Sequence, residues 1–189
     1  MKKLILQVQM SVDGFVAGPN GELDWMTWNW SDDIKNYVIE LHDTVGTILL
    51  GRKMTDGFVK HWQSVEPGTE EYPFAKKMVD YPKVVFTKTV DNHNWINTTL
   101  AKGELTEEVK RLKQKDGKDL IVYGGAGFVS SLAKENLINE YYLFINPVIL
   151  GNGLSIFNRL DRSRNLKLVA SKAFDCGIIL LHYIPERLV

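Results

Sequence analysis

Leu6, Val8 and Met10 alternate with Gln7 and Gln9 near the start of the chain. That period of two predicts a strand over residues 3–10. Twenty residues dense in Gly, Pro, Asn and Asp follow, SVDGFVAGPNGELDWMTWNW. A loop this long in a compact domain is more often functional than accidental. Ser31 then stands as an N-cap, with Asp32 and Asp33 in a first turn where negative charge suits the helix dipole. Ile34, Tyr37, Val38 and Leu41 recur at helical spacing and predict a helix over 32–43.

Short apolar runs at 47–51 (TILLG) and 83–87 (KVVFT) predict buried strands, with a helix beginning at RKMTDGFVKHW between them. Residues 95–99 predict an edge strand, and Leu105, Val109 and Leu112 a helix near 105–115. The next strand is predicted at 119–123, then a helix to about Lys134 and a strand over 141–150, YYLFINPVIL. The last pattern, LKLVASKAF-DCG-IILLHYI, predicts a β-hairpin. Strands spaced by helices predict an α/β fold with three layers, α/β/α. Its sheet is mixed and mostly parallel, and the final hairpin adds antiparallel strands at one edge.

Length fits one domain over residues 1–189. Composition narrows the function classes. Lys plus Arg and Asp plus Glu number 23 each, so the neutral chain gives no electrostatic reason to expect nucleic acid or an anionic membrane as partner. Cys176 is the sole cysteine, which leaves neither an internal disulfide nor a cysteine-rich metal site. No apolar run approaches the roughly 20 residues that cross a bilayer. The first residues lack the long apolar region and cleavage site of a signal peptide. The expectation is a cytoplasmic protein acting on a small molecule. His42, His61, His93 and His182 are scattered, and HExxH, GxSxG, CxxC and Walker A patterns do not occur, so no metal is expected.

Chemistry concentrates where predicted strands end. YGGAGF (123–128) joins a strand to a helix. Gly124, Gly125 and Gly127 would let a phosphate approach the helix N-terminus without a Cβ in the way. A strained turn or close helix packing explains the same glycines, and both readings stand on spacing alone. A Rossmann fingerprint fails: serine occupies the third glycine position and the match comes late in the chain. GRKMT (51–55) places Arg52 and Lys53 beside a helix start with the Thr55 hydroxyl, a plausible phosphate clamp. FTKT (86–89) puts Thr87 and Lys88 at another strand end. Three such ends point to one extended ligand along the sheet's C-terminal edge. The early loop, with Ser11, Asp13, Gly14, Gly18, Gly21 and Asp24 beside Phe15, Val16 and Trp25, suits a cover over a flat ring. Trp25, Trp28 and Trp30 form an aromatic cluster that a neutral chain does not turn into a nucleic-acid platform.

SVDGFVAGPNGELDW, ILLGRKMT, VVFTKT, IVYGGAGF and LINEYYLFINPVILGNGLSIF, in that order, resemble the dihydrofolate reductase-like superfamily. Within it they look most like the reductase (C-terminal) domain of the bacterial riboflavin-biosynthesis deaminase/reductase. The resemblance implies a mixed sheet of about eight strands and an NADPH-dependent reductase, often a homodimer. It implies cofactor contacts at Gly51, Arg52, Lys53, Thr55, Thr87, Lys88, Tyr123, Gly124, Gly125, Ala126, Gly127 and Phe128, with Ala17 and Gly18 approaching the nicotinamide. Ser11, Asp13 and Gly14 match a substrate-side S-x-D-G stretch, which makes Asp13 the leading acid, and Trp25 joins them. Asp32 or Asp33 stands near the helix-start carboxylate of dihydrofolate reductases. The expected reaction is hydride transfer to a pteridine- or pyrimidine-type ring or its ribosylamino form. The alternatives are a non-catalytic nucleotide-binding module of this fold and a Rossmann NAD dehydrogenase.

Overall fold

A computed structural model describes residues 1–186. The chain runs β1 (Leu4–Met10), α1 (Asp32–Leu41), β2 (Val45–Gly51), α2 (Arg52–Gln63), α3 (Tyr72–Asp80), β3 (Lys83–Phe86), β4 (Thr98–Ala101), α4 (Leu105–Gln114), β5 (Asp119–Val122), α5 (Ala126–Lys134), β6 (Glu140–Ile145), β7 (Leu166–Ala173) and β8 (Ile179–Pro185). The strands form one sheet in the order β4-β3-β2-β5-β1-β6-β8-β7. Every pairing from β4 to β6 is parallel. β8 is antiparallel to both β6 and β7. The hairpin therefore enters the sheet through its second strand, and β7 forms the edge.

Alternation divides the core. Leu4, Leu6, Val8 and Met10 of β1 face the layer of α4 and α5, where they meet Val109, Leu112, Val129 and Leu132. Ile5 faces the opposite layer, with Ile34 and Val38 of α1, Phe58 of α2 and Met78 of α3. Each β strand of the centre is buried on both faces, which explains the near-continuous apolar runs.

Three elements differ from the pattern-based expectation. α3 was not foreseen, because in YPFAKKMVD only Ala75 and Met78 are buried, too few to establish a helical stripe. The edge strand lies at Thr98–Ala101 rather than 95–99. Trp95 leaves the sheet to donate its indole N–H to Asp56 at 2.9 Å, and Asn97 takes a positive φ of 49° just before the strand. β6 stops at Ile145 instead of reaching 150. Asn146 turns into the core with no exposure, and Pro147 has no N–H for the ladder.

His42, just past α1, is fully buried. Its Nδ1 donates to the Val38 carbonyl at 2.6 Å, so its Nε2 accepts the Tyr123 hydroxyl at 2.6 Å. Burial pushes its pKa down to about 4.

Candidate functional site

The sheet order sets the ends of β3, β2, β5 and β1 side by side. GRKMT, leaving β2, thereby becomes the neighbour of YGGAGF, leaving β5, and the early loop leaves β1 beside it. Their glycines serve different ends. A Cβ on Gly51 would lie 2.8 Å from the Cβ of Phe128, so Gly51 is required by packing. Phe128 in turn sits 5.0 Å from Phe86, ring centre to ring centre. Gly124 and Gly125 do not adopt positive φ. A Cβ on Gly124 would meet only Met54 Sδ and Cε, the nearer at 3.4 Å, and one on Gly125 only Met54 Cβ at 4.0 Å. Both are ordinary contacts, so nothing inside the protein crowds these two positions. Gly127 is exposed, with Arg159 Nη2 3.5 Å from where its Cβ would stand.

Gly125 is the N-cap of α5, whose first turn carries the positive end of the helix dipole. Its own N–H donates to Met54 Sδ at 3.2 Å. Ala126 packs at the margin of the α5-side core. Tyr123 points the other way, to His42, and burial holds its phenol well above its usual pKa.

Among the basic and hydroxyl candidates, Arg52 is held by Asp56 at 2.7 Å, and its guanidinium lies 5.1 Å from the Trp95 ring centre. The Arg52 hydrogen bond, then that of Trp95, lowers the Asp56 pKa. Lys53 is exposed. Thr55 is fully buried, and its hydroxyl donates to the Gly51 carbonyl at 3.2 Å. The Thr87 hydroxyl accepts the N–H groups of Thr89 and Val90, both at 3.2 Å, which closes the turn after β3. Lys88 donates to the carbonyls of Lys102 and Gly103 at 2.8 and 2.9 Å.

The early loop is cross-linked rather than loose. Ser11 is buried, and its hydroxyl accepts the Phe15 N–H at 3.0 Å around a turn where Gly14 takes φ 89°. Val16 donates to Leu154, and Leu154 donates to Ala17, each at 2.9 Å. The Asp13 carboxylate accepts the N–H groups of Leu150 at 3.1 Å and Gly151 at 2.7 Å. A hydrogen bond from Ser11 contributes most to lowering its pKa. Gly18 donates its N–H to the Glu22 carbonyl at 2.9 Å, and Trp25 donates its indole to the same carbonyl at 3.0 Å.

Asp33 ties the start of α1 to the β7–β8 turn. It accepts the Ile34 N–H at 2.8 Å, the Asp175 N–H at 3.2 Å and the Ser31 hydroxyl at 2.5 Å. The Ser31 bond leads in lowering its pKa. Asp32 is 90% exposed and faces Lys35 at 3.5 Å. Beside this junction opens a cavity of about 420 Å³, with Trp28, Trp30, Ser31 and Cys176 in its wall.

Pattern reading did not pick out Met54 or Asn146, and it placed the β7–β8 turn as a hairpin turn without linking it to the start of α1. Asn146 is the polar hub behind the loop: its amide accepts the Thr27 N–H and donates to Gln9, both at 2.9 Å. Asn-Pro directly after an apolar strand was the available signal. Met54 carries none, because it matters only once β2 and β5 are neighbours.

Comparison with known proteins agrees with this architecture. The Bacillus subtilis protein YyaP, described as uncharacterized, is 30% identical over 185 residues, covering 96% of this chain and 94% of its own. The fold is shared with the diaminohydroxyphosphoribosylaminopyrimidine deaminase/5-amino-6-(5-phosphoribosylamino)uracil reductase of Thermotoga maritima, at TM-score 0.69 and 17% identity, over 98% of this chain and 57% of that one. It is shared also with Enterococcus faecalis dihydrofolate reductase complexed with NADP(H), at TM-score 0.62 and 16% identity, over 98% and 97% of the two chains. A sequence model of the RibD C-terminal domain matches residues 2–180. With its dihydrofolate reductase-like sheet, the chain belongs to the RibD C-terminal domain family.

Proposed function

We propose that the protein is an NADPH-dependent reductase acting on a pyrimidine- or pteridine-type heterocycle or its ribosylamino form. One observation carries the reading. At the junction of β2 and β5, Gly124 leaves a space that neither a positive φ nor packing requires, beside Gly125 and the N-terminus of α5. A dinucleotide pyrophosphate fits that cradle: its charge suits the helix end, and its oxygens can take the Gly125 N–H. Arg52 and Lys53, one strand away, favour a 2′-phosphate and hence NADPH over NADH. Ala17 and Gly18 border the nicotinamide end. Bound NADPH would supply the hydride; the chain's residues bind, orient and exclude water.

Hydrogen bonds from Ser11 and Ser31, then from backbone N–H groups, hold the Asp13 and Asp33 carboxyls below the usual aspartate pKa. They serve as anchors for the loops around the substrate, and the proton reaches the product from solvent. The same observation favours a second reading, a nucleotide-binding protein without turnover.

Tryptophan fluorescence during separate NADPH and NADH titrations tests the cofactor. A response to NADPH at lower concentration is expected, and silence to both overturns the reading. Tight NADPH binding with no oxidation across dihydrofolate, pteridines and ribosylaminopyrimidines selects the second reading.

A further inference from the structure

The Arg52 side chain is held from two directions. Asp56, one helical turn further along α2, takes an N–H of Nη1 at 2.7 Å. Pairs of this spacing on an open helix face hold side chains weakly. Trp95 comes from the segment between β3 and β4, and the Arg52 guanidinium carbon lies 5.1 Å from the centre of its ring. The indole is fixed without help from Arg52. Its N–H donates to the other oxygen of Asp56 at 2.9 Å. The His93 ring stacks on it at 5.0 Å and 16°, and it packs at the margin of the core layer of α1, α2 and α3.

The two holds differ in charge. Asp56 brings a carboxylate to the place where a phosphate would seek the cation. The Trp95 face attracts the guanidinium through its quadrupole and leaves the positive charge in place. Arg52 has five N–H groups, of which Asp56 takes one, and its side chain is 36% exposed. Donors therefore remain for an incoming anion. A guanidinium that is already ordered loses less freedom when it binds.

We propose that Trp95 is a positioning residue for cofactor choice: its ring holds Arg52 ready for the 2′-phosphate, so selection of NADPH over NADH depends on it. Trp95 acts through Arg52 and need not touch the cofactor. The inference rests on the reductase reading, which supplies the dinucleotide.

Calorimetric titration with NADPH and NADH tests it. Trp95→Leu should weaken NADPH about fivefold and NADH by under about twofold. Trp95→Phe, which keeps a ring and loses the N–H, should retain most of the preference. In an Arg52→Ala background, Trp95→Leu should change the NADPH-to-NADH ratio no further. The proposal is overturned if Trp95→Leu weakens both cofactors alike, leaves NADPH unchanged, or still shifts the ratio without Arg52. Should Trp95→Leu fail to fold, the Trp95 indole N–H resonance of the unmodified protein, assigned by its loss in Trp95→Phe, decides. Adenosine 2′,5′-bisphosphate should move it and adenosine 5′-monophosphate should not; the same response to both, or to neither, overturns the proposal. Silence of the unmodified protein to NADPH and NADH sinks the reductase reading. NADPH binding with selection indifferent to Trp95 leaves that reading and sinks this inference alone.

Discussion

The thioether of Met54 accepts the backbone N–H of Gly125 at 3.2 Å, across the junction of β2 and β5. That N–H is the donor a pyrophosphate oxygen would use under the proposed reading, in which Met54 and the dinucleotide compete for it. A neutral hydrogen bond contributes about 0.5–1.5 kcal/mol net. Met54→Ala should therefore tighten NADPH binding several-fold, read as Kd by fluorescence titration. Weaker binding would mean that Met54 supports the cofactor instead of excluding it.

Gly124 and Gly51 should separate function from packing. Gly124→Ala places its Cβ in ordinary contact with a flexible thioether, so the melting temperature should barely move while NADPH affinity falls. Gly51→Ala drives a Cβ against Phe128, and overpacking of this kind costs about 1–3 kcal/mol. Urea denaturation measures the second effect. If Gly124→Ala unfolds the protein yet binds NADPH normally when folded, the glycine belongs to packing.

Asp56 takes one N–H of Arg52 and would compete with a 2′-phosphate for the guanidinium. Arg52→Ala should weaken NADPH by tenfold or so and NADH little, since charge-assisted hydrogen bonds contribute about 1.5–3 kcal/mol. Asp56→Asn should shift the preference further toward NADPH. Equal losses for both cofactors with Arg52→Ala would remove the clamp.

His42 gives the fold a pH limit. Its pKa falls from 6.5 to about 4 because burial disfavours the charged ring. The unfolded chain therefore takes up the proton first on acidification. The stability tied to neutral His42 is whole above pH 6.5 and declines as pH falls toward 4. The full loss is roughly 3 kcal/mol. His42→Gln should lower stability at pH 7.5 but flatten its dependence across this window, measured by urea melts at stepped pH. An unchanged slope would place the acid sensitivity elsewhere.

Asp13 holds the 148–154 segment through two amide protons. Asp13→Ala should speed hydrogen exchange at Leu150 and Gly151 by at least several-fold, with amides in β1 unaffected. If exchange is unaltered while turnover loses a pH-dependent limb, Asp13 is a proton donor after all.

Local pattern was enough for the elements whose burial is simple. β2, β3 and β5 are apolar because both faces are covered, and α1 and α4 carry regular stripes. It failed where a side chain answers to a distant partner. Trp95 is withdrawn from the sheet by Asp56, and Asn146 is drawn inward by Gln9 and Thr27. The candidate site was legible as three strand ends of similar chemistry. That Thr55 and Thr87 turn their hydroxyls onto the backbone, and that Met54 lies over the glycines, depends on rotamers and strand order. Neither is written in a five-residue window.

β5 lies between β1 and β2, pairing Leu120 with Leu4 and Ile121 with Ile48. The two earlier strands therefore have no shared ladder until residue 119 has been made. A nascent chain carrying GRKMT and the early loop holds two parts of the candidate site with an empty lane between them. Closing that lane pairs Leu4 with Leu120, more than a hundred residues apart, a slow event by contact order. Ability to bind a dinucleotide should thus appear abruptly and late in folding. That would make ligand capture a reporter of a sheet closed through β5.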